Sequence, residues 1–385
     1  MTNGERERVT LIVGGGEFKD WTSIWVQDTW GDAFSQFKFT CAEREGAEAG
    51  AWQPLTSERF QPGEKCTILL AGELAITGII LKRQVAYDAN DHGVVLQGAN
   101  IAWEAETSCI VHKDSNFDDR SFLQIATEVL SLTDATVDIQ GNISTKPLKR
   151  VQVQPGEEVF SFLQRLSRVS KVLVTSNEEG DVLLVGEGGG NGSQGQLEEG
   201  KNILKMQCVA SIEMDRSEFM TRGQFNGDNK LKWRPASEQE AIKPGRYKGK
   251  RPKITPIEQG VDDEEQLKCH CENEAMWADL DHLQATITVQ GWQPGGPGEG
   301  GEEGGDLWKA GSTVKVKSPM AGLDHELAIQ SVTYTQDNQR GSLTTLLCVL
   351  PGALNSGPSS GFRRDSPTPT GPAKIHKGPA RTGSK

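Results

Sequence analysis

Six short apolar runs crowd into the first hundred residues, and each alternates with polar neighbours: VTLIV, TSIWV, FKFTC, KCTILLAG, LAITGIILKRQVAY and VVLQG. A period of two requires strands with one buried face, and turn-rich pieces such as GGGEF and YDANDHG separate them at the spacing of a small antiparallel barrel. Gly78, inside LAITGIIL, marks an expected bulge or sharp bend of the kind that closing a barrel needs. The hairpin Trp21–Cys41 turns at Gly31 and Asp32 and carries Trp21, Trp25 and Trp30.

The pattern then changes period. In DDRSFLQIATEVLSL, Phe122, Ile125, Ala126, Val129 and Leu130 share one helical face, with Asp118 and Asp119 expected at its N-terminal end. PGEEVFSFLQRLSRVS predicts a second helix, with Glu157 and Glu158 in its first turn. RVQVQ and the hairpin KVLVTS/DVLLVG complete a small α/β domain from Cys109 to about Val185, and GEGGGNGSQG (186–195) reads as a linker by composition. Strands return in ILKMQCVASIEM, LQATITVQGW, STVKVKSP, HELAIQSVTYTQD and SLTTLLCVL, interrupted by a basic stretch and one helix, DDEEQLKCHCENEAMWADL. Glu73-Leu74-Ala75-Ile76 echoes Glu326-Leu327-Ala328-Ile329, each followed by a strand, a polar turn with Gly and another strand, so duplication is the reading. The expected fold is mixed β and α/β. A first β-barrel (1–105) is followed by the α/β domain with its linker (106–200), a second barrel (201–352) with an insertion at about 228–281, and a flexible basic tail (353–385).

Charge is uneven on this 385-residue chain of formal charge −12. Lys230–Lys253 carries nine Lys and Arg against two Glu, and Phe362–Lys385 six against Asp365. An acidic body with two basic pieces points to acidic protein partners and away from nonspecific DNA binding. The apolar run Val9–Val13 is too short for a signal peptide's core, and no stretch approaches the roughly 18 apolar residues of a membrane helix. The expectation is a chain without a membrane anchor, made in the cytoplasm. Cys41, Cys66, Cys109, Cys208, Cys269, Cys271 and Cys348 are odd in number and mostly set in apolar alternation, which favours reduced thiols over a disulfide framework.

Chemical motifs fail on their own physics. GNGSQG (190–195) has dinucleotide-loop glycines, but the following QLEEGKNILK is short and carries Gly200, so no helix N-terminus follows. DSNFDD (114–119) starts like a calcium loop, yet Asp119 stands where Gly is required and Ile125 where the bidentate Glu belongs; helix capping accounts for it better. Cys269, His270, Cys271 and His282 are soft ligands, but a one-residue gap on a helix turns the two thiols about 200° apart. KPGRYKGKRPK (243–253) offers one aromatic, Tyr247, to a phosphate backbone; a solvated insertion or docking strand is preferred. Ser35, Ser167 and Ser318 lack the glycine frame of a nucleophile, and His92, His112, His270, His282, His325 and His376 have no readable partner. The expectation is a protein with no catalytic site, metal or cofactor.

The order VTLIVGGGEFKDWTSIWVQDTWGDAFSQFKFTC, FDDRSFLQIATEVLSL, PGEEVFSFLQRLSRVSKVLVTSNEEGDVLLV, then LQATITVQGW, LWKAGSTVKVKSP, ELAIQSVTYTQD and SLTTLLCVL, resembles a known family. It is that of the baseplate hub proteins of contractile-tailed phages, with the phage Mu protein P hub and the late control proteins. The resemblance implies a virion structural protein: a homotrimer whose six barrels make a pseudo-sixfold ring around a channel, joining the sixfold tail tube to the threefold spike. Its implied partners are spike, tube and tube-initiator proteins, with the basic loop 230–253 and tail 362–385 meeting other baseplate proteins. Trp21, Trp25 and Trp30 then suit sheet or inter-subunit packing, beside an ordinary core role. Two alternatives stay open: a tail-tip hub that binds or degrades peptidoglycan, and a spike-type hub of a contractile secretion system.

Overall fold

The computed structural model describes residues 7–42, 60–87, 92–112, 115–224, 238–257, 264–295, 306–353 and 374–377. Seven strands come first: β1 (Val9–Val13), β2 (Gly16–Phe18), β3 (Ser23–Thr29), β4 (Gln36–Ala42), β5 (Lys65–Leu70), β6 (Glu73–Tyr87) and β7 (His92–Asn100). Alternation dictates their packing, because Ile24, Val26, Phe37, Phe39, Ile68, Ile80, Val94 and Leu96 all turn to one buried side. Gly78 is needed for a different reason from the one expected. The register shifts of β6 fall on either side of it, at Ala75 and Leu81. At Gly78 itself a Cβ would lie 2.1 Å from the Ala99 carbonyl oxygen, so glycine lets β7 approach where β6 passes from one partner to the next.

The next module contains α1 (Trp103–Thr107), β8 (Asn116–Ser121), α2 (Phe122–Leu130), β9 (Val137–Gln140), β10 (Pro147–Gln152), α3 (Val159–Ser170), β11 (Leu173–Ser176) and β12 (Val182–Val185). It has its own core, centred on Phe122, Ile125, Phe162, Leu163 and Leu166. Both helix starts differ from expectation. α2 begins later, in a capping box: the Ser121 hydroxyl accepts from the Gln124 N–H while the Gln124 side chain accepts from the Ser121 N–H. Asp118 and Asp119 lie in β8 beside β10; Asp118 is paired opposite Arg150 and bonds it at 3.0 Å, while Asp119 sits at φ +50° between the paired positions. Glu158 is the N-cap of α3, and Glu157, just outside the helix, binds Arg165 at 2.7 Å.

The glycine-rich 186–195 is an ordered clasp, where composition predicted a flexible linker. Gly186 N–H donates to Gln140 O, Glu187 and Asn142 bond each other, and the Asn191 amide donates to Ala310 O at 2.7 Å. The chain then enters β13 (Ser193–Glu198), β14 (Lys205–Ala210), β15 (Glu218–Gln224), β16 (Glu238–Pro244), β17 (Pro252–Pro256), α4 (Glu264–His282), β18 (Leu283–Gln290), β19 (Thr313–Ser318), β20 (Leu323–Asp337) and β21 (Gly341–Val349). Two strands of the insertion, β16 and β17, flank β15 in a small sheet against α4, where Arg246 pairs with Asp279 and Lys253 with Glu274. A short tail strand, β22 (Lys374–Lys377), pairs antiparallel with β16, so this piece of the tail orders on its own chain; the rest of 354–385 lies outside the described residues.

The duplication is written in strand order. The first half runs β3-β4-β7-β6-β5 and the second β14-β18-β21-β20-β19; beyond these the halves differ, β1 pairing antiparallel with β5 and β13 parallel with β19. The four shared letters are out of register with it: the β20 bulge follows Ile329, whereas the matching β6 bulge follows Ile80, four residues after Ile76. Pairing of β3 with β20 fuses the halves into one sheet whose ladder runs openly from β14 to β2 over a single shared core. Near that seam Gly311 sits at φ +80°, where a Cβ would fall 2.4 Å from the Trp30 ring. Gly311→Ala is expected to cost about 2 kcal/mol or more through positive-φ strain and overpacking. The thermal midpoint, followed by tryptophan fluorescence, should drop by several degrees; an unchanged midpoint would refute the packing.

Candidate assembly face and sheet joint

Seven residue pairs join the halves, from Ser331 opposite Thr29 to Asp337 opposite Ser23. Val26 and Tyr334 face each other on the buried side, and the Tyr334 hydroxyl donates to the Trp308 carbonyl. Burial pushes that phenol well above its ordinary value. Trp30 closes the end of the joint, its backbone N–H donating to Gln330 O at 2.8 Å.

The α/β module plugs the same place. The turn after β11 brings Glu178 O to the Thr77 N–H at 2.7 Å, and Gly31 N–H donates to the Thr175 hydroxyl at 3.1 Å. Lys309 reaches the Glu178 carboxylate at 2.9 Å. Asp28 faces this junction and accepts from the Ser35 hydroxyl at 2.7 Å. Loss of water around its carboxyl pushes its pKa from the usual 3.8 to about 6, the Ser35 bond opposing this and Glu178 adding to it. No periodicity could have singled out Asp28, because its character comes from residues far away in sequence.

The opposite side of the fused sheet is polar. One row runs Thr288, Thr345, Thr333, Gln27, Gln36 across five strands, and the next runs Thr335, Trp25, Lys38, Gln97, Lys82. Between β3, β4, β6, β7 and α1 this face dips into a groove of about 730 Å³ lined by Trp25, Phe34, Lys38, Lys82, Gln97 and Trp103. The three tryptophans of the hairpin therefore divide. Trp21 packs on Phe39 with ring centroids 4.9 Å apart, Trp30 is buried at the joint, and Trp25 belongs to the outer face.

The structure does not bring the candidate ligands together. Cys271 turns toward β15 and β16, its thiol donating to Phe219 O, while Cys269 lies toward α3. Burial pushes these thiols up to about 11 and about 12, away from the thiolate a metal requires. His270 contacts Thr221, and His282 bonds Asp215 at 3.1 Å. Ser35 serves Asp28, Ser167 donates to Gln164 O, and Ser318 to Glu199. Asp114 and residues 230–237 lie outside the described residues.

A fused, duplicated antiparallel sheet with a docked α/β module is the fold of phage tail proteins. The 43 kDa tail protein of prophage MuSo2 from Shewanella oneidensis superposes with a TM-score of 0.74 at 22% identity, covering 90% of this chain and 99% of that one. A tail protein from Neisseria meningitidis MC58 gives 0.71 at 17%, covering 90% and 98%. A component of the type VI secretion system, the E. coli c3393 protein, gives 0.54 at 10%, covering 88% and 76%. Three families match in succession. Residues 8–100 match the N-terminal domain of Mu phage baseplate assembly protein GpP-like proteins, 107–186 the second domain of gp44-like baseplate hub proteins, and 273–356 the fourth domain of GpP. Baseplate hub protein gp44 of Escherichia phage Mu is 24% identical over 217 residues, which is 56% of this chain and only 55% of that protein. Together these place the chain among the Mu-type baseplate hub proteins, a family of phage tail structural proteins.

The joint makes stability depend on pH in a defined direction. An acid whose pKa is raised on folding stabilises the fold while protonated, so this contribution is present below pH 4 and is lost as pH rises to about 6. Asp28→Asn keeps an acceptor for Ser35 and removes the penalty. It should raise stability at pH 7 by on the order of 1 kcal/mol relative to wild type, with the gain shrinking toward pH 4. Urea titrations at the two pH values check this; equal or opposite differences would contradict the assignment.

Proposed function

We propose that the chain is a non-catalytic baseplate hub, a homotrimer whose three copies contribute six sheet units to a ring between a sixfold tail tube and a threefold spike. The observation that carries the reading is the repeat of one strand order within a single chain, joined by β3 and β20. A chain with two like halves is the economical way to offer six positions at threefold symmetry. In this reading each half supplies one tube-type β unit as a stretch of the fused open ladder, and the Thr- and Gln-lined face, with its groove at Trp25, turns to a water-filled channel. The α/β module, residues 106–200 in our division, buttresses the ring from the side. The domain limits 1–105 and 201–352 are part of the same proposal. So are contacts of the loop 230–253 and tail 362–385 with neighbouring baseplate proteins, and assembly in the host cytoplasm before incorporation into the virion.

Light scattering on the full chain, with class averages of the same sample viewed down any symmetry axis, tests this. A trimeric mass and a six-lobed ring with a central hole are expected. A monomer that forms no ring even with tube and spike proteins added would overturn the reading.

A further inference from the structure

The small sheet beside α4 ends on a strand that comes from far along the chain. Its order is β17-β15-β16-β22, and β16 is bonded on one side by β15 over seven residue pairs and on the other by β22 over four, from Gln239 opposite Lys377 to Ile242 opposite Lys374. β16 is fixed without help from β22. Ala241 is fully buried against α4, and the Cys271 thiol donates to the Ala241 carbonyl at 3.6 Å. The edge that β22 occupies is therefore built by β15 and α4, and a strand seated there completes the ladder through backbone bonds.

The connection to β22 does not dictate which copy supplies the strand. Residues 354–373, twenty in number, separate the short 3-10 turn Pro351–Ala353 from β22, and both of these elements lie against α4. α4 has 19 residues and is about 28 Å long. Twenty residues reach roughly 70 Å when extended, more than twice the length of that helix. The connection thus has length to spare for a neighbouring body. A tail strand from the same copy and one from a neighbour make the same bonds with β16, so the choice between them is set by the local concentration of each strand and not by new contacts.

Resting on the trimeric-hub reading, we infer that β16 is a docking edge for the tail and that in the assembled hub it takes residues 374–377 of a neighbouring copy, each copy giving one tail strand and receiving one. The register is that of the single chain, Glu240 opposite His376 and Ala241 opposite Ile375. It sets the end of β16 that carries Glu238 and Glu240 along the basic strand Lys374-Ile375-His376-Lys377, and opposite charge favours this strand at this edge. The exchange is heterologous and closes on itself after three copies under threefold symmetry. It links copies through a part of the chain outside the fused sheet, and so needs no contact across that sheet's polar face.

The test separates a copy's own tail from its neighbour's. Directly opposed residues on antiparallel strands lie at a separation that a disulfide spans. Full-length Glu240→Cys copies co-expressed with full-length His376→Cys copies bring the two new thiols together only between chains. Mild oxidation should then give covalent dimers on non-reducing gels, removed by reductant and absent from either variant alone. With both substitutions in one chain, covalent trimers are expected. Adding Lys374→Pro and Ile375→Pro to that chain removes a ladder N–H whichever of the two faces β16, and should abolish the cross-links. A trimer by light scattering whose bridges all close within single copies, seen as lost free thiols at unchanged gel mass, or which forms no bridge, refutes the exchange while leaving the hub reading intact. A protein that stays monomeric with tube and spike proteins present refutes both.

Discussion

The β3–β20 ladder is the contact on which the rest of the molecule depends. It joins residues some 300 positions apart, so closing it carries a large loop entropy, which grows only slowly with length once a long segment must be closed at all. The return is that Val26 and Tyr334 become interior positions and the apolar faces of both halves merge into one cluster reaching from Val9 to Leu350. Two separate half-sheets of this size would each leave an apolar border in water. Fusing them removes one pair of borders and leaves one pair at the outer ends.

The polar groups gathered at the joint explain how the α/β module is held. Its main contribution there is a turn whose backbone groups bond Thr77, while its Glu178 takes Lys309 from the second half. One turn thus contacts both halves across the seam. The cost is visible in Asp28, whose carboxyl has lost much of its water and sits near Glu178 and Asp32 with the Ser35 hydroxyl as its bonded partner. A partly buried acid that has lost much of its water gives up stability, and its bonds hold the end of β3 against Ser35 and the following turn.

Period-two alternation made the strands legible in sequence, because each has a buried face that the pattern must respect. The duplication was legible too, though through a coincidence: the ELAI letters that suggested it occupy positions shifted by four along equivalent strands, and the order of pairing carries the relationship. Local chemistry misled where a distant partner decided the outcome. Asp118 and Asp119 suit a helix N-terminus, yet they lie in β8 beside β10 and the Ser121 capping box starts the helix later. The glycines of 186–195 suggest slack, but bonds to Gln140, Asn142 and Ala310 order them. Similarly, nothing in the Pro- and Gly-rich tail distinguishes Lys374–Lys377 until β16 offers an edge.

The distribution of apolar surface decides how such a sheet can associate. If copies met face to face, the outer side of the fused sheet would need a packed apolar layer, since stacked sheets interdigitate side chains across about 10 Å. The rows there are instead dominated by Thr and Gln, Thr288 and Thr345 even approaching each other hydroxyl to hydroxyl, and Trp25 is set among polar neighbours. Such a face is stable against water. Some exposed aliphatic side chains, Val85, Val209 and Ile212, lie at the ends of the sheet, while others, among them Val111, Leu132 and Met320, lie on loops and on the α/β module. A broad face that stays wetted in the folded chain supplies little hydrophobic drive for association, so any contact made across it rests on its Thr, Gln and Lys side chains.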